Sequence, residues 1–439
     1  MRVTEPDIRA WQGRPDLIRL QAAHPRRYPA LFVSAGDSGW DVLFAFPHDT
    51  VRFGSGELDA LAAHPAMQAP RLSQVVTSDL PFRGGWLVAL AYELGGAFEP
   101  TAGQASDPDG YPLAWLTRIP AAILVERASA RCLLVAEAVG TDWLDAMQAD
   151  LESELPELPA MPATASIREE PAQRFLDGVA RIQGYIRAGD VFQVNLSRGW
   201  QGEFAEAPAP AALFNALMHK NPAPFSALLQ LDDWAIVSSS PERLVRLGQD
   251  GMLETRPIAG THPRSEDATE DAALRARLAA HPKERAEHIM LVDLERNDLG
   301  RVCEPGSVEV PALMEIASYR HVHHIESTVR GRLRPGVTVF DALRATFPGG
   351  TITGCPKVRT LQIIRELEDQ PRRSYTGSVG YINHDGSFDF NILIRSFLLR
   401  GRDWQFRAGA GIVADSVATR ELDETRAKAQ GLLRTLVAP

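Results

Sequence analysis

Two acidic pairs offer the clearest chemistry in the sequence: Glu284 with Glu287, and Glu421 with Glu424. Each pair is three residues apart, which on a helix sets both carboxylates on one face. Two such helices facing each other would bring four carboxylates together. That is costly without a cation, and Mg2+ is the hard, oxygen-seeking ion that suits it. By spacing alone the plainer reading, a solvated helix face, is favoured, because Lys283, Arg285, Arg420 and Arg426 adjoin the pairs and surface ion pairs are commonplace. Glycine-rich turns come next. Phe347-Pro-Gly-Gly-Thr-Ile-Thr-Gly-Cys-Pro-Lys357 looks like a phosphate loop but lacks its spacing, since Lys357 does not follow Gly354 directly and no Ser or Thr comes after it. Ala408-Gly409-Ala410-Gly411 would let backbone N–H groups approach an anion, and a tight hairpin explains the same glycines. In Tyr319-Arg-His-Val-His-His-Ile-Glu326, His321 and His323 share one face of a strand and His324 takes the other. No partners lie at zinc-like spacing, which leaves one neutral imidazole as acid or base, or a structural role.

The elements that must position these groups follow from periodicity. Ala30–Val33 and Trp40–Ala45 read as strands around a Gly36–Gly39 turn, and 84–92 reads as a buried strand. Residues 141–154 are helical, and Phe175, Val179, Ile182 and Ile186 mark a helix stopped by Gly189. Val191–Leu196 is β-like. Helical stretches at 269–280 and 283–294 carry the first acidic pair, and a helix near 421–435 carries the second. Strands mixed irregularly with helices imply an α+β fold with large, mainly antiparallel sheets. Pro156, Pro159 and Pro162 recur every third residue, as in an extended connector. The expected organisation is therefore an N-terminal subdomain over 1–155, a linker over 156–172 and a catalytic domain over 173–435.

Composition narrows the function. The chain has 439 residues, 45% hydrophobic and 23% charged, with a net charge of −10. These values exclude a disordered or coiled-coil chain and supply no basic field for nucleic acid. Cys132, Cys303 and Cys355 fit neither a disulfide framework nor a zinc knuckle. No apolar run reaches the roughly 20 residues of a membrane span, and no apolar signal core opens the sequence. No membrane association and a cytoplasmic location are expected.

Taken in order over 173–430, the motifs resemble the chorismate-utilising family that holds anthranilate synthase component I, aminodeoxychorismate synthase component I and the isochorismate and salicylate synthases. The resemblance rests on Gly189–Ser197, Ser238-Ser-Ser-Pro-Glu-Arg-Leu244, Arg256-Pro-Ile-Ala-Gly-Thr261, Lys283-Glu-Arg-Ala-Glu-His288 and Leu291-Val-Asp-Leu-Glu-Arg-Asn-Asp298. It continues through the Phe347–Lys357 loop, Tyr375-Thr-Gly-Ser-Val-Gly-Tyr381, Ile394-Arg-Ser396 and Asp423-Glu-Thr425. Leu80–Gly85 and Tyr92–Gly95 match more weakly. The resemblance implies two sheets packed face to face with helices outside, a four-layer arrangement. It implies Mg2+ held by Glu287 and Glu424, with Glu284 and Glu421 close by, binding the ring carboxylate of chorismate. Tyr375 and Arg395 would grip the enolpyruvyl carboxylate. Gly409, Ala410 and Gly411 would offer backbone donors, while Gly260, Thr261 and Lys428 line the pocket. His324 aligns with the histidine of the acid–base or elimination step, and Glu242 with the general acid for the departing 4-hydroxyl.

Two positions bear on the nucleophile. Family members that add water carry a lysine base where this chain has Gln193. Glutamine cannot take a proton from water, so ammonia is the expected nucleophile, supplied by a separate glutamine amidotransferase subunit, since no glutaminase segment is recognised here. Asn195, Leu80–Gly85 and Phe388–Arg395 resemble aminodeoxychorismate synthase, which makes 4-amino-4-deoxychorismate for para-aminobenzoate and folate. Ala259 points instead to anthranilate synthase, because some aminodeoxychorismate synthases carry a lysine there. A catalytically silent regulatory subunit is the reading of another class. Val33, where anthranilate synthases carry a glutamate that binds feedback tryptophan, predicts weak or absent tryptophan inhibition.

Overall fold

The computed structural model describes residues 5–36, 38–70, 79–103, 107–138, 141–319 and 322–437; of Thr141, Thr261, His262 and Lys283 it describes the backbone alone. Alternation along the strands sorts side chains to two faces. In Trp40–Ala45, Val42 and Phe44 join one apolar cluster and Leu43 and Ala45 another. The first cluster is the seam between two antiparallel sheets: Ala227, Leu229 and Ile236 of one sheet pack there with Leu87, Ala89 and Val379 of the other. The second cluster lies on the outer face of the first sheet. There Leu20, Met147, Phe214 and Leu432 come from helices Leu17–Ala23, Thr141–Glu152, Pro210–Lys220 and Ala418–Leu436. On the outer face of the other sheet, Val292 and Leu299 of helix Pro282–Gly300 and Phe340 of helix Val339–Thr346 pack against Val88, Leu116 and Leu244. The architecture is α+β in four layers, helices outside two face-to-face sheets, as expected.

The first sheet has 12 strands among the described residues and the second 10. Strands from both ends of the sequence share each of them. Phe225–Leu231 pairs with Ala30–Val33 in the first, and Ser378–Asn383 pairs with Gly85–Leu90 in the second. Residues 156–163 have no regular structure and lead into strand Thr164–Glu169, which pairs with Gln193–Phe204. No helix among the described residues is long and apolar enough to cross a membrane.

Candidate active site

The site begins with alternation on strand Gln193–Phe204. Val194 and Leu196 enter an apolar cluster under helices Ala172–Arg187 and Lys357–Leu367, so Gln193, Asn195 and Ser197 face the other way. Asp403–Ile412 lies alongside, with Asn195 opposite Gly411 and Ser197 opposite Gly409. A Cβ on Gly411 would sit 2.4 Å from Gln193 Nε2, and one on Gly409 would sit 2.5 Å from Asn195 Oδ1 and 2.9 Å from the Tyr375 hydroxyl. Glycine is required there because the amides and the phenol occupy the space a side chain would take. Asn195 N–H donates to Thr353 O (2.8 Å) and Lys428 Nζ to Gly409 O (3.0 Å), so both groups turn away from the ladder between the two strands. Antiparallel alternation then turns the Gly411 N–H outward with Gly409 and leaves Ala410 to the ladder with Leu196. The Ala410 methyl is buried in the helix-side cluster.

Gln193 and Asn195 are buried, and their side-chain oxygens, Oε1 and Oδ1, meet no hydrogen-bond donor among the described residues. Two buried carbonyl oxygens without donors are costly, and they make a place prepared for an N–H. Tyr375 is buried beneath the Arg372 guanidinium, 5.6 Å from its ring, and burial pushes its hydroxyl up to about 12, so it stays a donor.

Across the turn Gly350–Ile352 lies a second group. Glu242 leads into strand Arg243–Leu247 and is 4% exposed; burial, with Glu295 and Glu326 nearby, pushes its carboxyl up to about 8 against the Thr351 hydroxyl and the Ile258 N–H. It is therefore an acid at neutral pH. Arg395 faces it from the segment between strands Phe388–Asn391 and Ser396–Arg400, with φ +53, and burial lowers its guanidinium. A left-handed backbone at a non-glycine residue is a strain found where geometry is functional. His324, on strand Val322–Arg332, sets Nδ1 3.4 Å from Gly260 O. Burial and the nearby Arg395 charge push the imidazole down to about 4, so it stays neutral. Gly260 has φ +65 at a bulge where Ile258–Pro263 shifts register against Val322–Arg332. A Cβ there would lie 2.9 Å from Glu284 Oε2. Thr261 pairs with His324 by register, its side chain outside the described residues, as is all of His321. The two groups are joined by the loop, whose Thr351 and Thr353 carbonyls accept from Asn195 Nδ2 (3.5 Å) and N–H (2.8 Å).

The acidic pairs occupy different environments. Glu284 and Glu287 are half-buried in the first turns of Pro282–Gly300, Glu421 is buried at the start of Ala418–Leu436, and Glu424 is exposed and paired with Lys428 at 2.7 Å. No group of three or more His, Cys, Asp or Glu residues among those described is placed to hold a metal. Mg2+ does not require one, since it is usually held by one or two carboxylates with water and substrate completing the octahedron. The oxygen donors of Glu287 and Glu424 suit that ion.

Sequence reasoning gave no role to Glu295. Its signal was available: it falls three after Val292 and four before Leu299, on the apolar stripe of the helix, where a carboxylate is out of place.

Residues 28–434 match the family described as chorismate binding enzyme. The chain belongs to that family. It is 48% identical to anthranilate synthase component 1 of Aquifex aeolicus over 60% of this chain and 53% of the relative, so it spans about half the length of that relative. It is 34% identical to aminodeoxychorismate synthase component 1 of Salmonella typhimurium over 99% of both chains. The crystal structure of anthranilate synthase component I from Streptococcus pneumoniae superposes with a TM-score of 0.79 at 30% identity, covering 91% of this chain and 93% of that one. The chain is accordingly a chorismate-utilising enzyme of the aminodeoxychorismate and anthranilate synthase group. The segment Leu31–Ser34, read for regulation, contributes Val33 and Ser34 to the lining of a separate cavity of about 560 Å3, together with Arg243, Tyr381 and Asp389.

Proposed function

We propose that the enzyme replaces the 4-hydroxyl of chorismate with ammonia to give 4-amino-4-deoxychorismate. The observation that carries amination is the pair of buried carbonyl oxygens on Gln193 and Asn195, which accept N–H bonds and cannot serve as a base for water. Glu242, protonated at neutral pH, gives its proton to the departing hydroxyl, which leaves as water. Arg395 and the Tyr375 hydroxyl hold the enolpyruvyl carboxylate, with the outward N–H groups of Gly409 and Gly411 beside them. Lys428 fixes the Gly409 carbonyl, and His324, neutral and turned toward Gly260, is available to accept a proton. Mg2+, held by Glu287 and Glu424 with Glu284 and Glu421 nearby, would supply electrostatic neutralisation of the ring carboxylate. Ammonia comes from a separate glutaminase subunit in this reading.

Ala259 supports a second reading, amination at C2 with loss of pyruvate to give anthranilate, because an alanine offers no amine to add to the ring. Incubating the purified protein with chorismate, Mg2+ and ammonium and identifying the product separates the two. We expect a product that yields para-aminobenzoate only after a lyase is added. Anthranilate fluorescence without that lyase would overturn the C4 assignment.

A further inference from the structure

The glycines Gly349 and Gly350 let a strand and a helix close on one turn. A Cβ on Gly349 would lie 2.8 Å from Ile392 Cδ1 and 3.4 Å from Leu244 Cδ1, on the side of Glu242. One on Gly350 would lie 2.4 Å from Leu294 Cδ2 and 3.4 Å from Glu295 Oε1, on the side of helix Pro282–Gly300. Glu242 and Glu295 thus flank a single turn, both nearly excluded from water.

The charges around them do not balance. Glu242 faces Glu295, Glu326 and Arg395; Glu326 is already served by the Tyr319 hydroxyl (2.7 Å) and Arg256 (3.5 Å). Glu295 faces Asp298 and Lys357, and Lys357 Nζ is 2.5 Å from Asp298 Oδ2. Asp298 also feels Arg301, which is exposed and lies 3.8 Å from Glu99, and sits near the Cys355 thiol. Three buried carboxyls, Glu242, Glu295 and Asp298, stand against two half-buried cations, Arg395 and Lys357. One retained proton restores neutrality, and carboxyls buried in one cluster resist ionising together.

We propose that Glu295 is a positioning residue for catalysis: it shares one proton with Glu242, and its negative charge keeps that proton on Glu242, where the leaving hydroxyl needs it. The kinetic half of this inference rests on the amination reading. Burial raises both carboxyls, Glu295 to about 7 and Glu242 to about 8. In turnover the proton departs with the hydroxyl as the C–O bond breaks. The ammonium formed with the new C–N bond releases one in return, so the pair ends as it began.

The test is an infrared titration of the protein alone, following the protonated-carboxyl band assigned by its loss in E242Q. In E295Q the midpoint of that band moves about one pH unit toward acid, because the like charge is gone. In K357M, which removes the facing cation, it moves toward alkali. In E295D the parental midpoint returns. The alkaline limb of kcat/KM follows the same three shifts. A midpoint unchanged in both E295Q and K357M overturns the proposal. Should the infrared shifts occur in a protein that aminates nothing, the shared proton stands and the amination reading falls.

Discussion

An acid that must protonate a hydroxide leaving group is useful only while it holds its proton, and in Glu242 burial supplies that condition. The carboxyl titrates near 8, so the acid form prevails below that pH and is lost as pH rises through it. At constant free ammonia, kcat/KM should therefore fall above about pH 8. E242Q keeps the shape and loses the proton. It should lower kcat on the order of 10²–10⁴-fold while chorismate still binds, which calorimetry would show; parental turnover in E242Q would remove the residue from the chemistry. At this scale the motifs were readable: Glu242, His324, Tyr375 and Arg395 all stand in segments recognisable as such, and the structure buries Glu242, His324 and Tyr375 and half-buries Arg395. The contact of Lys428 with the Gly409 carbonyl was not readable. It depends on how closely a helix settles on a strand nineteen residues earlier, and spacing carries no record of that.

Helix Pro282–Gly300 places Glu284 and Glu287 at one end and Glu295 near the other, so its seating on the turn Gly350–Ile352 governs both parts of the site. Gly350 permits the contact, since a methyl there would meet Leu294 Cδ2 at 2.4 Å. G350A should cost about 1–3 kcal/mol by overpacking and displace Glu295 from Glu242, so a lower melting temperature comes with an altered pH profile. An unchanged Tm and profile would show that the helix has room to spare. The elements themselves were legible: Ala30–Val33 and Trp40–Ala45 fall where alternation put them, and the helix expected over 283–294 begins at Pro282, continuing to Gly300. Their arrangement was not. Phe225–Leu231 finds its partner in Ala30–Val33, nearly two hundred residues away, and local periodicity says nothing about which distant edge a strand will meet.

The interleaving of strands has a consequence for the whole molecule. Residues 1–155 supply five strands to one sheet and three to the other, so they complete two sheets without forming one of their own. Removing them would bare Phe225–Leu231 along one side and Ser378–Asn383 along another, two edges of unpaired backbone groups bordered by apolar side chains that another chain can pair with. A chain of residues 156–439 should accordingly aggregate or melt without a cooperative transition. The connector behaves differently. Between Ser153 and Ala163 the backbone has no regular structure, and Arg19 holds it through the Leu155 and Pro156 carbonyls while Thr164 Oγ1 donates to Leu436 O at 2.8 Å. A cut there severs no strand. Limited proteolysis in this stretch should leave the two pieces together on size exclusion, and co-expression of 1–155 with 156–439 should restore the parental melting transition and chorismate turnover. A soluble 156–439 that melts cooperatively alone would mean that these pairings add strands to an already complete fold.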